Sequence, residues 1–153
     1  MSDRSFLQWP FFDEAHRDLA DRVDAWATRE LADLDHSNVD ETCKALVRAL
    51  GDAGWLKLSA VDPADERSKI DVRSLCIMRE TLARHDGLAD FAFAMQGLGT
   101  GCISLFGRPD QKTEWLTKTR AGKALSAFAL SEPASGSDVA NMAMTAVLPR
   151  RHW

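Results

Sequence analysis

Paired cysteines are missing from this sequence. Cys43, Cys76 and Cys102 lie far apart and form no C-x-x-C spacing, which argues against both a zinc site and a disulfide framework. Each falls in an apolar helical pattern and is expected as a buried free thiol. The four histidines, His16, His36, His85 and His152, stand at no ligand spacing from one another or from a cysteine, so no metal site is expected. Charge of a single sign is lacking too. The 19 basic and 23 acidic residues are mixed along the chain and sum to −4. Without a basic stripe, nucleic acid is not an expected partner. No clean apolar run follows the opening Met-Ser-Asp-Arg, so no secretory signal is read there and a cytoplasmic setting is the expectation. Repeats and low-complexity runs are absent as well.

What is present is the material of one ordinary domain. Of 153 residues, 45% are apolar and 27% charged, and a domain near this size buries about 70% of its extended-chain surface. Phe12, Ala15, Leu19, Val23, Trp26, Ala27, Leu31 and Leu34 recur mostly at steps of three and four, which predicts one face of a long amphipathic helix. A second helix is predicted from about Asp40 to Ala53, with Cys43, Leu46, Val47 and Leu50 as its stripe and Gly51 and Gly54 near its end. The polar run from Asp62 to Lys69 reads as a surface loop. Asp71 is a good N-cap for a third helix whose apolar side is predicted as Val72, Leu75, Cys76, Leu82 and Ala83, with Asp86-Gly87 as its break.

Leu88 to Phe106 is apolar nearly all round and long enough to suggest a membrane span. Asp90, Gln96, Thr100 and Ser104 interrupt it, and Gly97, Gly99 and Gly101 weaken it as a lone helix. It is therefore expected as the central helix of a soluble domain, where small residues let a neighbouring backbone or a flat ligand come close. Gly97-Leu98-Gly99-Thr100-Gly101 lacks the spacing and the preceding strand of a dinucleotide fingerprint. Pro109 starts a fifth helix, predicted to run to about Arg120 with Trp115 and Leu116 as apolar anchors. Five helices with short links predict a helical bundle.

The character then changes. Ala124 to Leu130 is short, apolar and uncharged, and is predicted as a buried strand. The hydroxyl-rich turn Ser131-Glu132-Pro133-Ala134-Ser135-Gly136-Ser137-Asp138 follows, and Met142 to Leu148 is a candidate second strand. A small-residue loop after a strand can offer N–H groups and hydroxyls to ligand oxygens, although a plain turn has the same composition.

The run Ala127-Phe128-Ala129-Leu130-Ser131-Glu132-Pro133-Ala134-Ser135-Gly136-Ser137-Asp138 closely resembles the acyl-CoA dehydrogenase signature of an aromatic, an aliphatic, Thr or Ser, Glu-Pro, two small residues and Gly-Ser-Asp. Gly54-Trp55-Leu56, Glu80 to Asp86, Gln96-Gly97-Leu98-Gly99, Phe106-Gly107 with Gln111-Lys112, and Ala121-Gly122-Lys123 resemble the same family in the same order. The resemblance implies a mainly α fold. An acyl-CoA dehydrogenase-like helical domain would occupy residues 1–122, and the first strand or strands of an incomplete middle β domain residues 123–153.

It also implies chemistry. The family removes an α proton from an acyl-CoA and passes a β hydride to FAD. By the match, Phe128, Leu130 and Ser131 would contact the isoalloxazine, Gly136 and Ser137 would lie near the cofactor, and Ser137 would also approach the CoA part of the substrate. Ser131 keeps the hydroxyl of the commoner Thr. Gln96 either lines the acyl tunnel or simply packs in the core. Glu132 matches a loop-framework position rather than the base, and Glu80 reads as a structural ion-pair member near Arg79 and Arg84. The family's base lies in a C-terminal domain, so no catalytic residue is assigned here. Implied partners are an acyl-CoA, an electron-transfer flavoprotein or similar acceptor, and further copies of the chain. No membrane is expected.

After about Thr145 the match fades into Leu148-Pro149-Arg150-Arg151-His152-Trp153. The expectation is a truncated or frame-shifted reading frame, inactive alone, whose bare apolar interface would self-associate. A non-catalytic helical module and a fragment of a same-fold oxidase or monooxygenase are the alternatives.

Overall fold

The computed structural model describes residues 3–147. After a 3-10 turn at Ser5–Gln8, Asp13 opens α1 (Glu14–Glu30). Its carboxylate accepts from the His16 backbone N–H at 3.3 Å, and the His16 ring stands 3.3 Å from the Asp13 N–H, a reciprocal cap that satisfies two orphan donors of the first turn. α1 buries Leu19, Val23, Trp26 and Ala27 as the periodicity predicts. Ala20 replaces the exposed Ala15 on that face.

α2 (Val39–Asp52) is capped by Asn38 and buries Leu46, Val47 and Leu50. Gly54, at φ +81°, turns the chain into a second 3-10 turn, Trp55–Leu58, which places Trp55 edge-on against Trp26 at 6.2 Å. Only glycine adopts that φ without strain.

α3 (Val72–His85) begins after Asp71, the predicted cap, but its buried face differs from the predicted one. The core takes Ile77, Met78, Thr81 and Leu82; Cys76 and Ala83 are exposed, Leu75 is partly buried, and Val72 is 65% exposed. α3 packs against both α1 and α4, so two adjacent rows of side chains are covered rather than one stripe. Val72 lies in the first turn, at the edge of that packing. The three cysteines also depart from expectation: Cys43 is half-buried, and Cys76 and Cys102 are exposed on α3 and α4.

Asp86 alone links α3 to α4 (Gly87–Phe106). It ends the first helix and caps the second by accepting from the Ala89 N–H at 2.9 Å. α4 is long and apolar enough to cross a membrane by length and composition. Its inner face, Ala89, Ala92, Phe93, Gln96, Thr100 and Ser104, packs toward α2 and α3. Its outer face leaves Phe91, Leu98, Leu105 and Phe106 exposed, so α4 is covered on one side only.

The last helical run consists of α5 (Pro109–Gln111), a π turn (Lys112–Leu116) and α6 (Thr117–Arg120). Leu116 is fully buried, whereas Trp115 is exposed and lies 5.0 Å from the Lys118 ammonium. Consecutive helical residues point about 100° apart, so these two cannot share one anchor site. Beyond Lys123 the predicted buried strand does not form. Ala124–Leu130 runs without ladder bonds and is only partly covered, because no neighbouring strand satisfies its backbone. Among the described residues an isolated bridge between Glu132 and Ser135 is the β feature. Residues 142–147 are exposed and not a strand, and Leu148 of that predicted strand lies outside the described residues.

Candidate functional site

The signature segment is positioned from the helices upward. First, α2 meets the turn after α6 at backbone distance. A Cβ on Gly51 would stand 2.5 Å from the Gly122 nitrogen, and one on Gly122 would stand 2.6 Å from the Val47 oxygen. Gly122 also has φ +66°, so this crossing demands two glycines.

Three residues later the chain reaches α4. The buried Gln96 side chain, 1% exposed, donates through Nε2 to the Ala124 oxygen at 2.9 Å. Its Oε1 accepts from the Ser126 N–H at 2.7 Å and stands 3.0 Å from the Ser126 hydroxyl, which also reaches the Gln96 backbone oxygen at 3.0 Å. One turn on, Gly99 leaves room for the passing backbone. A Cβ there would meet the Ala127 nitrogen at 2.6 Å. Gly99 thus admits a neighbouring backbone, one of the two uses expected of the small residues of α4, whereas a Cβ on Gly101 would meet nothing. Ser126 is the residue that sequence reasoning missed. Its signal was a lone hydroxyl inside the apolar run Ala124–Leu130.

From this anchorage the chain presents Phe128, 48% exposed, then the partly buried Leu130 and the exposed Ser131. Glu132 and Ser135 exchange both backbone bonds, at 2.7 and 3.1 Å, across a tight Pro133-Ala134 turn. The Glu132 carboxylate accepts from the Ala143 and Met144 N–H groups at 2.7 and 2.9 Å, which pins the returning chain. Ser135 donates its hydroxyl to the Asp138 oxygen at 2.6 Å, and Asn141 bonds the Asp138 carboxylate. Gly136 and Ser137 stand exposed at the tip, and the hydroxyls of Ser131 and Ser137 have no partner among the described residues. Phe128, Leu130, Ser131, Gly136 and Ser137 therefore lie on one presented segment, while Gln96 sits inside, bonded to its stem.

An open cavity of about 250 Å³ lies on the α3–α4 side, lined by Ser59, Ile70, Leu75, Arg79, Ala94, Gly97 and Leu98. A larger groove of about 510 Å³ includes Lys57, Arg120 and Lys123. Its half-buried cation is neutralised, since Arg120 pairs with Asp62 at 2.8 Å. No group of three or more metal-ligating side chains occurs among the described residues.

The frame carries structural ion pairs. Glu80 pairs with Arg84 at 3.2 Å, and Arg79 grips Asp90 through two bonds of 2.8 Å that tie α3 to α4. His16 contacts Asp13 and Asp71, each at 2.7 Å. Partial burial opposes the charge on Asp71, but hydrogen bonds from His16, Arg73 and Ser74 outweigh it and hold the carboxyl at about 2. His85, with Arg84 beside it, lowers Asp24. Burial, with Asp40 and Asp86 nearby, raises the Cys43 thiol, the opposite of what a reactive cysteine needs.

Residues 13–123, the whole helical frame that carries this segment, match the family model described as acyl-CoA dehydrogenase, N-terminal domain. The chain belongs to the acyl-CoA dehydrogenase family. The Mycobacterium tuberculosis protein named "Probable acyl-CoA dehydrogenase FadE25" is 31% identical over 142 residues, 92% of this chain and 36% of the relative. The short-chain specific acyl-CoA dehydrogenase of Sus scrofa mitochondria is 32% identical over 113 residues, covering 72% of this chain and 27% of its own length. The very long-chain specific enzyme of Rattus norvegicus mitochondria is 41% identical over 71 residues, 46% of this chain and 11% of the relative. This acyl-CoA dehydrogenase chain thus spans about a third or less of the length of these relatives.

Proposed function

We propose that this chain is the N-terminal portion of a flavin-dependent acyl-CoA dehydrogenase, in which the Phe128–Ser137 segment forms one wall of the FAD site and approaches the bound thioester. The observation that carries the reading is the presentation of that segment. An aromatic face, an aliphatic residue and two unengaged hydroxyls stand outward on a stem anchored at Ala124 and Ser126. Such a set fits a flat aromatic ligand edged with carbonyls: the ring of Phe128 and the side chain of Leu130 offer apolar contact, and Ser131 and Ser137 offer hydrogen bonds. Bound FAD supplies the hydride acceptor. These residues would hold and orient it, and Ser137 would also meet the CoA moiety.

No described residue is assigned as the base. Glu132 is occupied by two backbone N–H groups, which favours a framework role. The cavity beside Gly97 and Leu98, lined largely by apolar groups, supports an acyl surface on the α4 side. Relatives named for short and for very long chains both match this chain, so acyl length is left open. An electron-transfer flavoprotein or similar acceptor belongs to the same reading.

The test is the visible absorbance spectrum of the purified chain, with any flavin released by denaturation and identified. FAD is expected. A chain that carries FMN in its place, or that stays colourless after incubation with FAD, would count against this wall. A second reading, a helical module that docks on another chain, is favoured by the exposed apolar stripe Phe91, Leu98, Leu105 and Phe106.

A further inference from the structure

We propose that Gln96 is a positioning residue. Its buried amide holds residues 124–126 against α4, and so fixes where the Phe128–Ser137 segment stands. The consequence for cofactor binding rests on the flavin reading above, whereas the clamp itself does not.

Two properties of the site carry the inference. The first is complementarity. A primary amide has one acceptor oxygen and one donor nitrogen. At Gln96 the nitrogen meets a carbonyl, Ala124 O, and the oxygen meets an N–H, Ser126 N, at 2.9 and 2.7 Å. These are the two strand-edge groups flanking Leu125, so the side chain takes the place that a neighbouring strand would have taken. This explains how an apolar segment without a ladder partner still has a defined course. The second is steric. Gly99 lies on the next turn of α4, and the Ala127 backbone passes where its Cβ would be. Amide and notch together determine the height and the register at which the chain leaves the helix.

The environment makes the pair costly to break. Gln96 is 1% exposed and both its polar atoms are used, so no water can replace a lost partner without rearrangement. Thr100 bonds the Gln96 backbone oxygen at 2.7 Å and adds no competing group to the side chain. With both its ends engaged by the stem, the amide is not free to bond an acyl chain. Of the two readings open for Gln96 in the sequence, this geometry favours neither tunnel lining nor simple packing but a bracket for the loop that follows.

The experiment is residue-resolved hydrogen exchange on the 153-residue chain and on Gln96→Met, Ser126→Ala and their double variant. Gln96→Met keeps volume and helix propensity while removing both bonds. Protection of the Ser126 amide should fall at least tenfold, and that of the bonded Glu132 and Ser135 amides should fall with it, while α1 and α3 hold theirs. Ser126→Ala keeps the Ser126 N–H and both amide bonds, so it should lower protection less than Gln96→Met does. The double variant should lose less than the sum of the two single effects, because the variants share the Ser126 hydroxyl–Oε1 contact at 3.0 Å. Gly99→Ala should loosen the same segment with Gln96 intact. Unchanged protection at Ser126 in Gln96→Met would overturn the proposal, as would loss spread evenly over the bundle. FAD titration of the same variants separates the two claims. A clamp that passes the exchange test in a chain that takes up no flavin leaves the clamp standing and removes the flavin reading. A wild type that binds FAD as tightly as Gln96→Met contradicts the positioning role for the cofactor wall.

Discussion

Single residues decide this fold at a few crossings. Gly122 sits at φ +66° with α2 directly over it. Gly122→Ala is expected to cost about 1–3 kcal/mol, through strain and overpacking together. Urea denaturation measures it, and a loss below the experimental error would show that the turn can move aside. Asp71 gives a pH-dependent counterpart. Its folded value of about 2 lies below the ordinary 3.8. The stability it contributes is therefore present above 3.8 and is lost as pH falls through about 2. Because the Asp71 side chain is partly exposed to solvent, the contribution is a modest one. Asp71→Asn should flatten the acid limb of the stability curve across that window relative to wild type, and an unchanged slope would place the acid sensitivity elsewhere. The sequence made Asp71 legible as a cap, since an Asp before an apolar periodic run has a mechanical reading. His16 was not legible as its partner, because 55 positions separate them and nothing local joins α1 to α3.

Among the elements, periodicity located the helices better than it oriented them. α1 and α2 each have one main covered face, and their stripes were nearly those expected. α3 is covered from two sides, and its true face, Ile77, Met78, Thr81 and Leu82, cuts across the predicted one. Ile77→Ala should cost about 2–5 kcal/mol, whereas Val72→Ala should stay within about 0.5 kcal/mol. Thermal unfolding of the two variants decides between the faces, and equal effects would contradict the observed packing. Leu116 and Trp115 were separated for a related reason: adjacent helical residues diverge, and only one reaches the core. The segment after Lys123 shows the opposite limit. Its composition was read as a buried strand, and that strand does not form, because a strand needs a partner; here the Gln96 amide fills that place.

At the scale of the whole molecule, the described chain is a helical frame with one presented segment and one bare apolar face. Phe91, Leu98 and Leu105 follow helical spacing along the outside of α4, and Phe106, 84% exposed, ends the stripe. Exposed apolar area of this continuity drives association. Sedimentation is expected to show concentration-dependent self-association, reduced in a Leu98→Glu, Leu105→Lys variant. A monomer at every concentration would show that the stripe tolerates water. The family was legible in the sequence because the signature and its upstream companions are short, ordered and local. The placement of Gln96, Gly99 and Ser126 together was not, because it depends on how α4 meets a chain about 30 residues away.

The central claim is that Phe128 to Ser137 is a flavin-facing wall carried by an acyl-CoA dehydrogenase helical domain. Titration of the chain with FAD, followed by quenching of flavin fluorescence, tests it most directly. Wild type should quench saturably. Phe128→Ala should bind at least tenfold more weakly, about 1.4 kcal/mol, with its helical circular dichroism unchanged. Quenching that never saturates, or an affinity that Phe128→Ala leaves as it was, would contradict the account.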